Sequence, residues 1–282
     1  MAYHLEHLER DDLRLALHAW IPANVSAVVF YVHGIQSHGG WLFETGPYLA
    51  NRGIAVYVLD RRGSGASEGV PGGADYGAWI DDYAHALDRA RSAHAGVPLT
   101  VLGQSFGATV AAAVALRSPR AYDALALVAP ALNQVRGARI VEPGCAPPAL
   151  PVIDDDTLMP IPLDDTQYTR DPRYLAFMRD DHRMLRTISS RHRRTLLGLA
   201  AAYMAVPAAF ARTPSALFLP RADSIISLPL ARESFTFLAP GGLIVELPTE
   251  DHYLEFSAAR IAYLEVLASF VLAPERLHVP PS

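Results

Sequence analysis

The residues with the clearest chemical potential are Gly103-Gln104-Ser105-Phe106-Gly107, a Gly-x-Ser-x-Gly pentapeptide between a β-branched apolar run and a helical one. At a sharp strand-to-helix turn this pattern holds the serine in a strained conformation with its hydroxyl exposed. The glycines are needed because side chains there would strike the adjoining strand and helix. A hydroxyl is a poor nucleophile at neutral pH until a base takes its proton and a third group fixes that base. Downstream, Asp223 follows the run Ala216 to Leu219, at a strand end where sites of open α/β sheets form, and His252 lies in the loop after Leu243 to Leu247. The order Ser105, Asp223, His252 therefore reads as nucleophile, orienting acid and general base. Glu246 is the weaker candidate for the acid because it sits within a strand. A tetrahedral intermediate also needs N–H donors for its oxyanion. The backbone of Phe106 is one. Ile35 is the other, in the loop Val32-His33-Gly34-Ile35-Gln36-Ser37-His38-Gly39-Gly40, where Gly34 lets the chain turn toward the serine. His33 and His38 have no carboxylate or thiolate partner in reach in the sequence, so they read as structural and no metal is expected.

These groups need a scaffold that ends several strands along one edge. Leu13 to Trp20 alternates with period two, as a strand with one face on the core does. Continuous apolar runs, the mark of strands buried on both faces of a parallel sheet, follow at Ala27 to Val32, Ile54 to Leu59, Leu99 to Leu102, Ala124 to Val128, Ala216 to Leu219 and Leu243 to Leu247. Helical patterns separate most of them: Trp41 to Asn51, Tyr76 to Ala95, Phe106 to Arg117, Ala231 to Leu238 and Leu254 to Leu272. The expected fold is α/β, a mostly parallel, doubly wound sheet. The alternation fails between about Ala131 and Thr213. There Pro143, Pro147, Pro148, Pro151, Pro160 and Pro162 and the acidic run Asp154-Asp155-Asp156 predict an irregular excursion, followed by helix over Tyr174 to Arg194 and an apolar helix over Thr195 to Ala211. Because that last helix needs burial and strands resume after it, the excursion reads as an inserted cap. The expected divisions are core 1–130, cap 131–212 and core 213–282.

Composition narrows the function. The 24 basic residues, all arginine, face 29 acidic ones, so the net charge of −5 argues against nucleic-acid binding. The single cysteine, Cys145, permits neither an internal disulfide nor a thiolate cluster, and the charged stretch Met1 to Asp12 is unlike a secretory leader, so the expectation is a cytoplasmic protein. Membrane contact is expected to be peripheral at most, through Arg191 to Ala211.

Three blocks resemble the α/β-hydrolase superfamily, specifically its monoacylglycerol lipase and lysophospholipase-like branch, also grouped with serine aminopeptidases. They are His33-Gly34-Ile35 with His38 and Gly40, the loop Asp60-Arg61-Arg62-Gly63-Ser64-Gly65-Ala66-Ser67-Glu68-Gly69, and the turn around Ser105. The likeness covers about Leu13 to Pro130 and Thr213 to Leu272. One departure is Pro220, where the branch commonly has glycine three residues before the acid. The resemblance implies an α/β-hydrolase fold and a serine hydrolase without cofactor, cleaving a monoacylglycerol, lysophospholipid or similar acyl ester. An acyl thioesterase, an aminopeptidase or a non-hydrolytic binding protein of the same fold are the alternatives. The candidate acyl site combines Trp41 with Leu196, Leu199, Tyr203 and Met204, the cap residues at helical spacing, which could equally close the core. Arg179, Arg183 and Arg186, spaced to share a helix face, could hold an anionic head group or pair with nearby aspartates. The oligomeric state is left open.

Overall fold

A computed structural model describes residues 1–145 and 156–277. The chain opens with a hairpin of β1 (Ala2–Arg10) and β2 (Leu13–Ile21), whose turn residues Asp11 and Asp12 both have positive φ. β3 (Ala27–Val32), a 3-10 turn at Gly39–Leu42, α1 (Thr45–Ala50) and β4 (Ile54–Leu59) follow. Then come α2 (Tyr76–Ala93), β5 (Leu99–Gln104), α3 (Phe106–Arg117) and β6 (Ala124–Val128). The excursion contains a small hairpin of β7 (Gln134–Val135) and β8 (Ala138–Arg139). It continues through β9 (Leu158–Pro160), α4 (Asp165–Tyr168), α5 (Pro172–Asp180), β10 (Thr187–Ser189) and α6 (His192–Met204). β11 (Ser215–Pro220), α7 (Leu228–Leu238), β12 (Leu243–Leu247), a 3-10 turn at Leu254–Phe256 and α8 (Arg260–Leu272) complete the fold.

Eight strands form one sheet in the order β1-β2-β4-β3-β5-β6-β11-β12, with β2 antiparallel to both its neighbours and every other pairing parallel. The sequence-predicted strands are all present. Those at Ala27–Val32, Ile54–Leu59, Leu99–Gln104 and Ala124–Val128 are buried at every position, as continuous apolar runs between two helical layers require. α2 packs on α3 and α1 on α8, and β3 touches both α3 and α8, so helices flank the sheet.

Four expectations change. β2 is buried on both faces from Leu15 to Trp20, because the loop after β4 covers it: Ser67 Oγ accepts from the N–H of Ala16, and His18 donates to Asp60. The helix expected over Tyr174 to Arg194 stops at Asp180, and Thr187–Ser189 instead pairs with Leu158–Pro160. The apolar helix expected to reach Ala211 ends at Met204, since Pro207 lacks an N–H and disfavours helix at Val206. Trp41 to Asn51 and Leu254 to Leu272 each split into a 3-10 turn and a helix. Pro147, Pro148, Pro151, Asp154 and Asp155 lie outside the described residues. Among the described residues, no helix is long and apolar enough to cross a membrane.

Candidate active site

β5 delivers the chain to Ser105, which has φ 53° and ψ −122°, and α3 starts at the next residue. That left-handed backbone is costly for a side-chain-bearing residue and persists only where its surroundings fix it. Here they do: the Ser105 N–H donates to Val128 O at 2.9 Å, and Ser105 O accepts from Ala108 and Ala131. Both flanking glycines are sterically required. A Cβ at Gly103 would come within 2.5 Å of the Ala108 Cα, and one at Gly107 would overlap the carbonyl oxygen of Val32.

Asp223 stands three residues past the end of β11. Its Oδ1 accepts from the N–H groups of Ile225 (2.7 Å) and Ile226 (3.0 Å), which leaves Oδ2 to accept from His252 Nδ1 at 2.7 Å. His252, fully buried after β12, presents Nε2 to Ser105, whose hydroxyl donates to it across 2.8 Å. The tautomer is therefore set: a proton on Nδ1 and a lone pair on Nε2. Pro220 does not disturb this loop, because it ends β11 in register with Leu247, and the next N–H, that of Arg221, donates to Leu247 O and Thr249 O. Glu246 lies on the exposed side of β12, paired with Arg232 and away from His252. The neighbour of the base, Asp251, receives the backbone N–H and Nε of Arg170, which ties the histidine loop to the excursion.

The loop after β3 is held from behind. His33 is fully buried. It donates from Nδ1 to Gly34 O at 2.8 Å and accepts the Arg61 N–H on Nε2 at 2.9 Å. Burial, reinforced by the Arg61 charge, pushes its pKa down to about 3, so it stays neutral. Arg61 is itself buried; it donates to Ile35 O (2.9 Å) and Gly34 O (3.4 Å), and its guanidinium lies 5.2 Å from the centre of the Phe106 ring. One cation thus touches both residues expected to supply oxyanion donors. Asp60 pins the far side of the loop by accepting from the N–H groups of Gly39 and Ala66 and from His18 Nε2. Burial raises its pKa, but the bonds and charges around it win, His18 foremost, and bring it down to about 2. The roles of Arg61 and Asp60 were hidden in the sequence. The Asp60–Gly69 block was recognisable, but nothing in its spacing says that it folds back under the Ile35 loop.

A cavity of about 610 Å³ opens beside the serine, lined by Ser105, Ile35 and Phe106 on one side and by residues of β9, β10 and α6 on the other. Leu196 lines it. Leu199, Tyr203 and Met204 do not: they face the core, where α6 packs on α3 and the Tyr203 hydroxyl donates or accepts at Thr109 Oγ1 and accepts from the Asn133 N–H. A helix of period 3.6 has two apolar faces here, and spacing alone does not say which one meets the cavity. Trp41 also turns away, into a ring cluster with Tyr168, Tyr253 and Phe256, while its Nε1 donates to Asp181. Arg179, Arg183 and Arg186 share no helix face, because only Arg179 lies in α5; Arg179 pairs with Asp180 and Arg186 with Asp165. No group of three or more His, Cys, Asp or Glu among the described residues could hold a metal ion. His38 instead donates to Asp181, and Cys145 is exposed.

Residues 23–239 match the family model for serine aminopeptidase, S33. The monoacylglycerol lipase of Mycolicibacterium smegmatis is 29% identical over 177 residues, 60% of this chain and 60% of that protein. The monoglyceride lipase homolog of monkeypox virus is 32% identical over 116 residues, 40% of this chain and 42% of its own. The matched segments thus take in about half the length of these curated relatives. Among solved structures, a soluble variant of monoglyceride lipase from Saccharomyces cerevisiae in complex with a substrate analog superposes with a TM-score of 0.78 at 16% identity, over 99% of this chain and 97% of that one. The monoacylglycerol lipase of Paleococcus ferrophilus gives 0.75 at 18% identity, over 93% and 99%. Those two likenesses establish the fold, and the family match goes further: this chain belongs to the serine aminopeptidase S33 family of α/β-hydrolases.

Proposed function

We propose that this protein is a serine hydrolase that cleaves a carboxylic ester through an acyl-enzyme on Ser105, the insert 131–212 supplying much of the acyl site. The observation that carries the reading is the continuous hydrogen-bonded line from Ser105 Oγ through His252 to Asp223, opening onto a largely apolar cavity. In the first half-reaction Ser105 Oγ attacks the ester carbonyl as His252 Nε2 takes its proton. The carbonyl oxygen, now negative, is held by the N–H groups of Ile35 and Phe106. Collapse breaks the ester C–O bond, and His252 returns the proton to the departing alcohol. Water then attacks the acyl-enzyme, gives its proton to Nε2, and leaves the carboxylic acid and a restored Ser105. Asp223 keeps the Nδ1–H in place and stabilises the imidazolium that forms in each half.

The cavity favours an ester over a peptide with a free amino end. Capture of an ammonium group calls for a carboxylate in the pocket, and no Asp or Glu lines it among the described residues. A long apolar chain suits the lining of Ile161, Leu163, Ile188, Leu196, Ile225 and Ile226. The names of the relatives, monoacylglycerol and monoglyceride lipases, point the same way. The test is steady-state hydrolysis of p-nitrophenyl esters from acetyl to dodecanoyl beside alanine p-nitroanilide. Ser105-dependent turnover that rises with acyl length supports the reading, whereas faster cleavage of the anilide refutes it.

A further inference from the structure

The cavity lining includes two exposed arginines that ester hydrolysis does not use. Arg136 and Arg193 both line it, and neither has a carboxylate partner among the described residues, whereas nearby Arg139 and Arg191 pair with Glu233 and Asp156. Each stands where local physics disfavours it. Arg136 has φ 48° and forms with Gly137 (φ 77°) the two-residue turn of the β7–β8 hairpin, a turn that prefers Asn-Gly. Arg193 occupies the first turn of α6, which has no acidic residue, so its charge opposes the helix dipole and adds to a positive end.

A third polar group lines the same cavity. His192, only 8% exposed, has its ring packed on Phe106 and Trp79, and its Nδ1 has no hydrogen-bond partner. A buried polar atom without a partner is costly unless something else satisfies it. Burial first, and the Arg61 charge second, push its pKa down to about 3, so it stays a neutral ring with one N–H to give. Asp156 is already engaged: it pairs with Arg191 and accepts from Ser189 Oγ.

We propose that Arg136, Arg193 and His192 form an anion subsite, and that the preferred ester carries a phosphate or carboxylate group besides its acyl chain. The inference rests on the serine-hydrolase reading and sharpens its substrate class. The hydroxyl groups of a neutral monoacylglycerol would make only ordinary hydrogen bonds with the polar lining, while an anionic ester would gain bonds charged on both sides, the stronger kind.

The test compares matched pairs: 1-dodecanoylglycerol 3-phosphate with 1-dodecanoylglycerol, and the mono-p-nitrophenyl ester of a dicarboxylic acid with that of the monocarboxylic acid of equal length. The readout is the ratio of kcat/KM, anionic over neutral, which does not depend on the fraction of enzyme folded. The expected ratio is about tenfold or more in one pair, falling toward one in Arg136→Gln/Arg193→Gln. Which pair shows it assigns the anion to the alcohol or the acyl side. A ratio near one in both pairs, or one that survives the double substitution, overturns the subsite. If no ester is turned over, the hydrolase reading fails instead, and the subsite is judged by calorimetry of dodecyl phosphate against dodecanol on Ser105→Ala. Tighter binding of the phosphate that is lost with both arginines sustains it; equal binding sinks it.

Discussion

On one side of the cavity, Ser105, Phe106 and Ile35 stand at the ends of β5 and β3, two strands buried at every residue. On the other, Met159, Ile161, Ile188 and Leu196 belong to two three-residue strands, a loop and the helix α6. The first side takes its rigidity from the sheet. The second belongs to the segment between β6 and β11, whose stretch from Tyr168 to Leu185 is tied to the core by polar cross-links. Tyr168 donates to Gln36 Oε1, Gln36 Nε2 donates to Leu185 O, His38 and Trp41 both donate to Asp181, and Arg170 binds Asp251. Rigid and rewritable parts of the molecule are therefore kept apart. Atoms that must hold position to a fraction of an ångström hang from the sheet, while the segment facing them is fastened in part by bonds that a few substitutions can rewrite.

Substitutions on the sheet side should have the largest effects. Ser105→Ala or His252→Ala should lower ester kcat by on the order of 10⁵-fold or more, and Asp223→Asn by about 10⁴, while thermal unfolding still shows a folded protein. Next in size is Arg61→Met. It removes the cation behind Ile35 and Phe106, so kcat should drop by about 10- to 100-fold with KM little changed, a split that loss of acyl binding would not produce. Arg61→Lys, which keeps the charge but not the planar fork, should recover part of that loss.

Stability should divide the two sides as well. Asp60 and Asp181 both have pKa values brought down to about 2, by bonds from His18 and from His38 respectively, against the burial that would raise them. A carboxylate with a depressed folded pKa stabilises the fold above its unfolded value near 4, and that contribution is lost as pH falls through the folded value. Thermal unfolding should therefore move to lower temperature between about pH 4 and 2. Asp60→Asn should remove much of that dependence and lower Tm for the whole protein. Asp181→Asn should instead speed amide exchange chiefly in α5 and the Gly39–Leu42 turn, the elements it joins. The smallest effect should come from Arg179→Gln, which disturbs only an exposed pair with Asp180 and should leave Tm and turnover unmoved.

The same division governs what could be read from sequence. A strand buried on both faces must be apolar throughout, so Ala27–Val32, Ile54–Leu59 and Ala124–Val128 were legible to the residue, and β5 and β11, which lead to Ser105 and Asp223, to within two residues. β12, which leads to His252, was placed as well, but it is not buried on both faces as its run suggests: Ile244 and Glu246 face solvent. β1 escaped because the outer strand of the sheet is mostly exposed and its residues are mixed in character. The insert was not legible for another reason. Strands of two or three residues have no period to detect, and α6 carries apolar residues around most of its circumference, so Tyr203 and Met204, which face α3, looked equivalent to Leu196. Contacts such as Arg61 with Ile35 O, or Trp41 with Asp181, join residues 26 and 140 positions apart and leave no local trace.

In the proposed mechanism His252, held by Asp223, activates Ser105. Labelling with a fluorophosphonate probe, followed by peptide mass spectrometry, tests it most directly. The expected result is a phosphonylated peptide containing Ser105 in the native protein, and a rate of labelling reduced by several orders of magnitude in His252→Ala. Labelling at another residue, or at Ser105 with equal speed in both proteins, would contradict it.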